Sequence, residues 1–127
     1  MTSNQSGQNP VVRALGSCNL DVDNNGLFEP DIDGVAILRR VAGLNAGAFS
    51  GLSGACAGNT TAASVYAATN SDYNVTLGAG GPRLLSDGLI ISRAMKKLTG
   101  TAVTNGATSI PWSTLQSWLN TNCGSTF

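Results

Sequence analysis

The sequence predicts an all-α domain built from two tandem loop–helix units with additional helices, and three observations carry that prediction. The first is a duplication: DGVAILRRVAGL (33–44) recurs without gaps as DGLIISRAMKKL (87–98), an offset of 54 residues. Asp33/Asp87, Gly34/Gly88, Ile37/Ile91, Arg39/Arg93 and Leu44/Leu98 are identical, and other pairs exchange one apolar residue for another. The second is helical spacing within each copy. Val35, Leu38, Val41 and Ala42 form the predicted core stripe of the first helix; Leu89, Ser92, Met95 and Leu98 form that of the second, widened by Ile90 and Ile91. The third is a crowd of charge: five of the seven acidic residues sit in LDVDNNGLFEPDID (20–33), directly before the first helix.

Residues 1–17 read as a linker, without the apolar centre of a signal peptide. The domain is expected over 18–127, with copy one near 18–71 and copy two near 72–124. The first helix is expected to start at Ile32 or Asp33 and to end near Gly43. A second helix follows from Thr61 to about Thr69. In copy two, Ser86 is the expected N-cap of the duplicated helix. Ser109 is the expected cap of the last helix, with Pro111 in its first turn and Trp112, Leu115, Leu119 and Cys123 on one side.

The acidic loop has the spacing of a calcium loop. Calcium takes six to eight oxygen ligands in loose geometry, and an EF-hand loop supplies them from alternate positions around a glycine at the sixth. With Asp21 as position one, Asp23 is three, Asn25 five and Gly26 six. Leu27 then offers its backbone carbonyl, Phe28 anchors the loop to the core, and Glu29 binds directly or through water. Position twelve is Ile32, so the closing acid is Asp31 or Asp33; Asp33 is preferred because its copy, Asp87, opens the other helix. Magnesium, with its tight octahedral shell, suits this loop less well. Five acids this close repel until a dication arrives, so folding and metal binding are expected to be coupled. In copy two, Asn74 and Thr76 stand where Asp21 and Asp23 stood, and Arg83 adds a positive charge. One Ca2+ is therefore expected, in the first loop only, with the second loop held by packing.

Composition narrows function. Charged residues are 11% of the chain, net charge is zero, and no basic cluster exceeds Lys96-Lys97, so nucleic acid is not an expected partner. No apolar run reaches the length of a membrane span. There is no histidine, which removes the commonest general base and every Ser-His or Cys-His pair; no enzyme activity is expected.

The stretches LDVDNNG, DIDGVAILRRVAGL and SDGLIISRAMKKLTG, with the flanking LTGTAVTNGAT and WSTLQSWLNTNCG, resemble dockerin domains of the kind found at the ends of bacterial secreted proteins. The resemblance covers about residues 18–124. It implies a non-catalytic calcium-binding module, monomeric in isolation. A helix face of such a module docks on a cohesin and tethers its parent protein to a scaffold, as in cellulosome-like assemblies. It also implies Asp21, Asp23, Asn25, Leu27 and Asp33 as ligands and an extracellular or cell-surface location. This chain departs from the pattern in three ways: the second loop lacks its acids, the first has one extra residue, and the connection between copies is long. A structural calcium module that caps its own parent protein is the alternative reading.

Three cysteines remain. The ends of a duplicated fold tend to meet, so Cys18–Cys123 is the expected disulfide, with Cys56 as a small buried thiol; Cys18–Cys56 is the competing pairing. Arg39, Arg40, Arg93, Lys96 and Lys97 are expected to point away from the apolar stripes, as a partner-facing surface or simply a solvated one. Trp112 and Trp118 read as core or rim, since a sugar platform would need both exposed in one plane. Asn59 and Asn74 match N-glycosylation acceptors.

Overall fold

Each duplicated helix opens on a turn wider than an α-turn, and that turn positions everything else. The computed structural model describes residues 18–127, so the N-terminal linker lies outside the described residues. A π-helical turn at Pro30–Gly34 runs into α1 (Val35–Val41), followed by a 3-10 turn at Ala46–Phe49 and α2 (Ala62–Ala68). A second π-helical turn at Leu84–Gly88 runs into α3 (Leu89–Met95), then α4 (Thr101–Thr104) and α5 (Trp112–Cys123). Among the described residues there are five α-helices and no strand, so the fold is all-α.

The π-turns have a local cause. Pro30 occupies the first helical position, where its missing N–H costs nothing. The Glu29 carbonyl accepts from the N–H groups of Ile32, Asp33 and Gly34 at 3.1, 2.7 and 3.2 Å, the last a five-residue span. The Asp33 carboxylate reaches back and takes the Glu29 N–H at 2.8 Å. Copy two repeats this: Gly88 N–H donates to the Arg83 carbonyl at 3.1 Å, and Asp87 accepts the Arg83 N–H at 2.9 Å. Both helices thus start earlier than expected, at Pro30 and Leu84. Ser86 lies inside the opening turn and is not the cap; Asp87 holds the N-cap amide instead.

The two copies pack by a reciprocal crossing. α1 contacts the opening turn of copy two, and α3 contacts the opening turn of copy one. An added Cβ on Gly88 would lie 2.9 Å from Leu38 Cδ2, and one on Gly34 would lie 3.4 Å from Met95 Sδ and 3.9 Å from Ser92 Oγ. Leu38 and Ser92 are equivalent under the duplication, so these close approaches are two views of one contact. It also turns the helix faces from the expected stripe. Ala36 and Ile37 are the fully buried residues of α1, while Val35, Leu38 and Val41 are half-buried and Ala42 is exposed. In α3, Ile90, Ile91, Ser92, Ala94 and Met95 are buried, but Leu98 lies beyond the helix end and is exposed.

The cationic residues divide into two groups. Arg39 donates to the Ala48 carbonyl at 2.6 Å, and its copy Arg93 donates to the carbonyls of Val103 and Asn105 at 2.9 and 2.7 Å. Each ties its helix to the connection that follows. Arg40 stacks 4.3 Å over the Tyr66 ring and reaches the Tyr66 carbonyl. Lys96 and Lys97 are exposed.

α2 begins at Thr61 with a capping box, Thr61 Oγ1 taking the Ser64 N–H and Ser64 Oγ the Thr61 N–H. α5 starts two residues later than expected: Pro111 is its N-cap, and Ser109 does not cap it. Its core face is Leu115, Leu119 and Cys123, with Trp112 and Trp118 half-buried against the core. Cys123 is bonded to Cys18, with Cα atoms 4.6 Å apart, and the Cys18 N–H donates to the Asn122 carbonyl at 3.1 Å. Cys56 is free and exposed, which overturns both the competing Cys18–Cys56 pairing and the buried-thiol expectation. A disulfide of this kind belongs to an oxidising, non-cytoplasmic environment. Among the described residues no helix is long and apolar enough to cross a membrane.

Candidate metal centre

Three carboxylates converge where the acidic loop meets the first opening turn. Asp21, Asp23 and Asp33 each offer an oxygen, and these atoms lie within 4.8 Å of one another. Asp21 is half-buried; Asp23 and Asp33 have no solvent exposure. Buried charges are normally paired, yet among the described residues no cation-bearing side chain is bonded to any of the three.

Backbone N–H groups hold the cluster in shape. Asp21 accepts from the N–H groups of Asn25 and Gly26 at 3.2 and 2.9 Å, which wraps the loop around its carboxylate; Gly26 makes the return at φ +86. Asp33 Oδ1 accepts from Val22 at 2.8 Å and more weakly from Asp23 at 3.4 Å, while its Oδ2 takes Glu29. Asp23 Oδ2 accepts from Gly54, in the connection between the copies, at 2.7 Å. Asp23 Oδ1 has nothing: among the described residues it is the buried side-chain oxygen left without a hydrogen-bond partner. An orphaned oxygen of this sort costs roughly 1–3 kcal/mol unless something occupies it. A cation shared with Asp21 and Asp33 would occupy it, so the donor set fits a hard, oxygen-seeking metal ion.

The other expected ligands are not in this group. Glu29 takes the Asn25 side-chain amide at 2.6 Å, and Asn25 Oδ1 accepts the Leu27 N–H at 3.0 Å. Leu27 is 58% exposed, and Phe28 lies against the core with its ring 6.4 Å from that of Phe127. Asp31 is exposed and outside the cluster, so Asp33 is the acid that closes it.

The second loop is an internal control. Asp87 Oδ1 accepts from both the N–H and the hydroxyl of Thr76, at 2.8 and 2.9 Å, and its Oδ2 takes the Arg83 N–H. Asn74 Oδ1 takes the Gly78 N–H, as Asp21 takes its loop amides. The second loop therefore holds its shape by a carboxylate clamp as well as by packing. With one carboxylate, its oxygens satisfied, it needs no ion.

Sequence reading missed the stretch Ser53–Asn59. Besides the Gly54 bond, Gly58 N–H donates to the Asn24 carbonyl at 3.0 Å and Asn59 N–H to the Asp23 carbonyl at 2.9 Å. Asn59 Nδ2, the nitrogen a glycan would need, is bound to the Val22 carbonyl at 2.8 Å. Gly54, Gly58 and Asn59 carry no sequence signal beyond that of an ordinary loop, because their role is set by contacts 30 or more residues away.

Crowding shows in the acid–base behaviour of the metal-free site. Burial pushes the Asp33 carboxyl up from 3.8 to about 7, with the charge of Asp23 adding to it and the Glu29 and loop amides opposing. Burial also raises Asp21, against its loop amides and with Asp23 adding. A carboxyl raised in the folded state gives stability that is complete below its unfolded value and is lost as pH rises through the folded one. The chelated protein is therefore expected to melt at lower temperature at pH 7.5 than at pH 4.5. Calcium needs the deprotonated acids, so the gap in melting temperature between excess Ca2+ and excess chelator should widen across the same window. Calorimetry in both conditions checks this; a gap independent of pH would mean that these carboxylates do not hold the ion.

Comparison with protein-family models, with curated proteins and with solved structures returned no match.

Proposed function

We propose that the chain is a non-catalytic, calcium-stabilised attachment module of an exported protein, dockerin-like in organisation. The observation that carries this is the orphaned, fully buried Asp23 oxygen inside a three-carboxylate cluster, in a loop that leads into a duplicated helix. Calcium is the favoured ion because the loop spacing offers oxygen ligands alone and its geometry is loose. The attachment surface is formed by what the two copies leave outward: Lys96, Lys97 and the leucines Leu44 and Leu98, equivalent under the duplication and 45% and 39% exposed. A cohesin-like domain is the partner the sequence resemblance suggests.

One observation favours the second reading, a calcium module that only stabilises its own parent protein. Arg39, Arg40 and Arg93 are spent on carbonyls and a ring of this same chain. That leaves the docking face with fewer charged groups than the sequence offered. Two measurements separate the readings. Titration calorimetry should give one Ca2+ per chain; two would refute the account of the second loop. Capture by immobilised cohesins in Ca2+, lost in EGTA, supports attachment. Calcium binding with no capture by any cohesin supports the stabilising role.

A further inference from the structure

The connection between the copies does more than connect. Ser53–Asn59 lies across the acidic loop and is bound to it by five hydrogen bonds. Gly54 N–H reaches Asp23 Oδ2 at 2.7 Å, and the Ala55 carbonyl accepts the Asn25 amide at 3.3 Å. Gly58 and Asn59 N–H groups reach the carbonyls of Asn24 and Asp23 at 3.0 and 2.9 Å, and Asn59 Nδ2 reaches the Val22 carbonyl at 2.8 Å. Ser53 Oγ donates to the Asn59 carbonyl at 2.8 Å, so the two ends of the segment are tied together and it can move as one piece. Its outer side faces solvent at Ala55, Cys56 and Gly58.

Two glycines permit this approach. An added Cβ on Gly58 would lie 2.8 Å from Asn24 Nδ2 and 3.3 Å from the Asn24 carbonyl oxygen, which is backbone and cannot step aside. One on Gly54 would lie 3.0 Å from both Glu29 Oε1 and Ile32 Cδ1. The second loop, which lacks the acids, is held instead by bonds within itself, through Asp87 and Asn74.

We propose that Ser53–Asn59 is a strap that closes over the calcium loop and sets how long the ion stays bound. The proposal rests on the calcium reading above. The Gly54 N–H takes up part of the accepting capacity of Asp23 Oδ2, while Oδ1 faces the ion with none of its own taken. The strap also seals Asp23 from water, while Asp21, half-buried, marks the open side. Lifting the strap frees Oδ2 and admits water to compete with the ion. By linkage, the bound ion must in turn hold the strap down.

Cys56 supplies the probe, since it is the chain's one thiol outside the disulfide and it sits on the strap. The full chain, labelled at Cys56 with an environment-sensitive maleimide and loaded with Ca2+, is mixed with excess chelator in a stopped-flow instrument. A fluorescent chelator follows ion release in parallel. Asn59→Ala, which removes one strap bond, should release Ca2+ about fivefold faster, and Gly58→Ala at least as fast, both at a stoichiometry of one. The label signal should change no more slowly than the ion leaves. Asn59→Ala is the milder change and keeps the test valid should Gly58→Ala fold poorly. Release within twofold of wild type in Asn59→Ala overturns the strap while leaving the calcium site intact. A wild-type chain that binds no Ca2+ overturns both.

Discussion

Asp23→Asn is expected to abolish the calcium response and, in chelator, to make the protein more stable than the wild type. The two effects share one cause. In the wild type, Asp23 is fully buried with one oxygen on Gly54 and the other unpaired, and it faces two further carboxylates within 4.8 Å. Two charges about 4 Å apart repel by about 4 kcal/mol at an effective dielectric of 20. A bound dication reverses that term; at about 100 times its dissociation constant it would add about 2.7 kcal/mol. For a domain of this size, that raises the melting temperature by roughly 10 °C. The asparagine keeps the shape and can still accept from Gly54. It removes the repulsion and gives the neighbouring acids an N–H donor. Metal-free stability should rise by about 1–2 kcal/mol, while the shift on adding Ca2+ disappears. Asp31→Asn, at an exposed position outside the cluster, should change neither quantity. Calorimetry of the three proteins with Ca2+ and with EGTA makes the comparison. A calcium shift that survives in Asp23→Asn, or equal destabilisation in both conditions, would mean that the cluster binds no ion.

Much of this site was legible because its chemistry is local. Asp21, Asp23 and Gly26 are set by turn geometry over six residues, and the duplication singled out Asp33 over Asp31 before any contact was known. The all-α class and the position of α2 followed from spacing, while its Thr61–Ser64 capping box is visible only in the structure. The rest depends on partners distant in sequence. The opening turns widened because an aspartate four residues past the N-cap reaches back to the N-cap amide, where three residues would be usual for such a contact. The buried face of α1 shifted to Ala36 and Ile37 because Leu38 meets Gly88 across the crossing, a contact fixed only when both copies are present. The arginines looked like surface charge because periodicity reports which way a residue points, not which carbonyls a long side chain can reach. The strap was invisible for the same reason: glycines 54 and 58 read as loop until something passes within 3 Å of where their Cβ would be.

Removing the Cys18–Cys123 bond is expected to be the most costly change of all, without altering the affinity of the folded protein for calcium. The bond spans 105 residues. In the chain-entropy model a loop of about this length stabilises by about 4–5 kcal/mol, by restricting the unfolded chain. That is a large part of the ~5–15 kcal/mol available to a typical domain. Cys18→Ala/Cys123→Ala should therefore melt roughly 20 °C lower than the wild type. The ion acts on the folded state and the crosslink chiefly on the unfolded one, so their contributions should add. The variant in EGTA should lie below the variant in Ca2+ by the same margin that separates the two conditions in the wild type. Its dissociation constant for Ca2+, measured below its melting temperature, should match the wild type within a factor of about 3. A tenfold loss of affinity would overturn this division of labour. Cys18 lies three residues before Asp21, and such a loss would show that the crosslink holds the calcium loop in shape as well as holding the chain ends together.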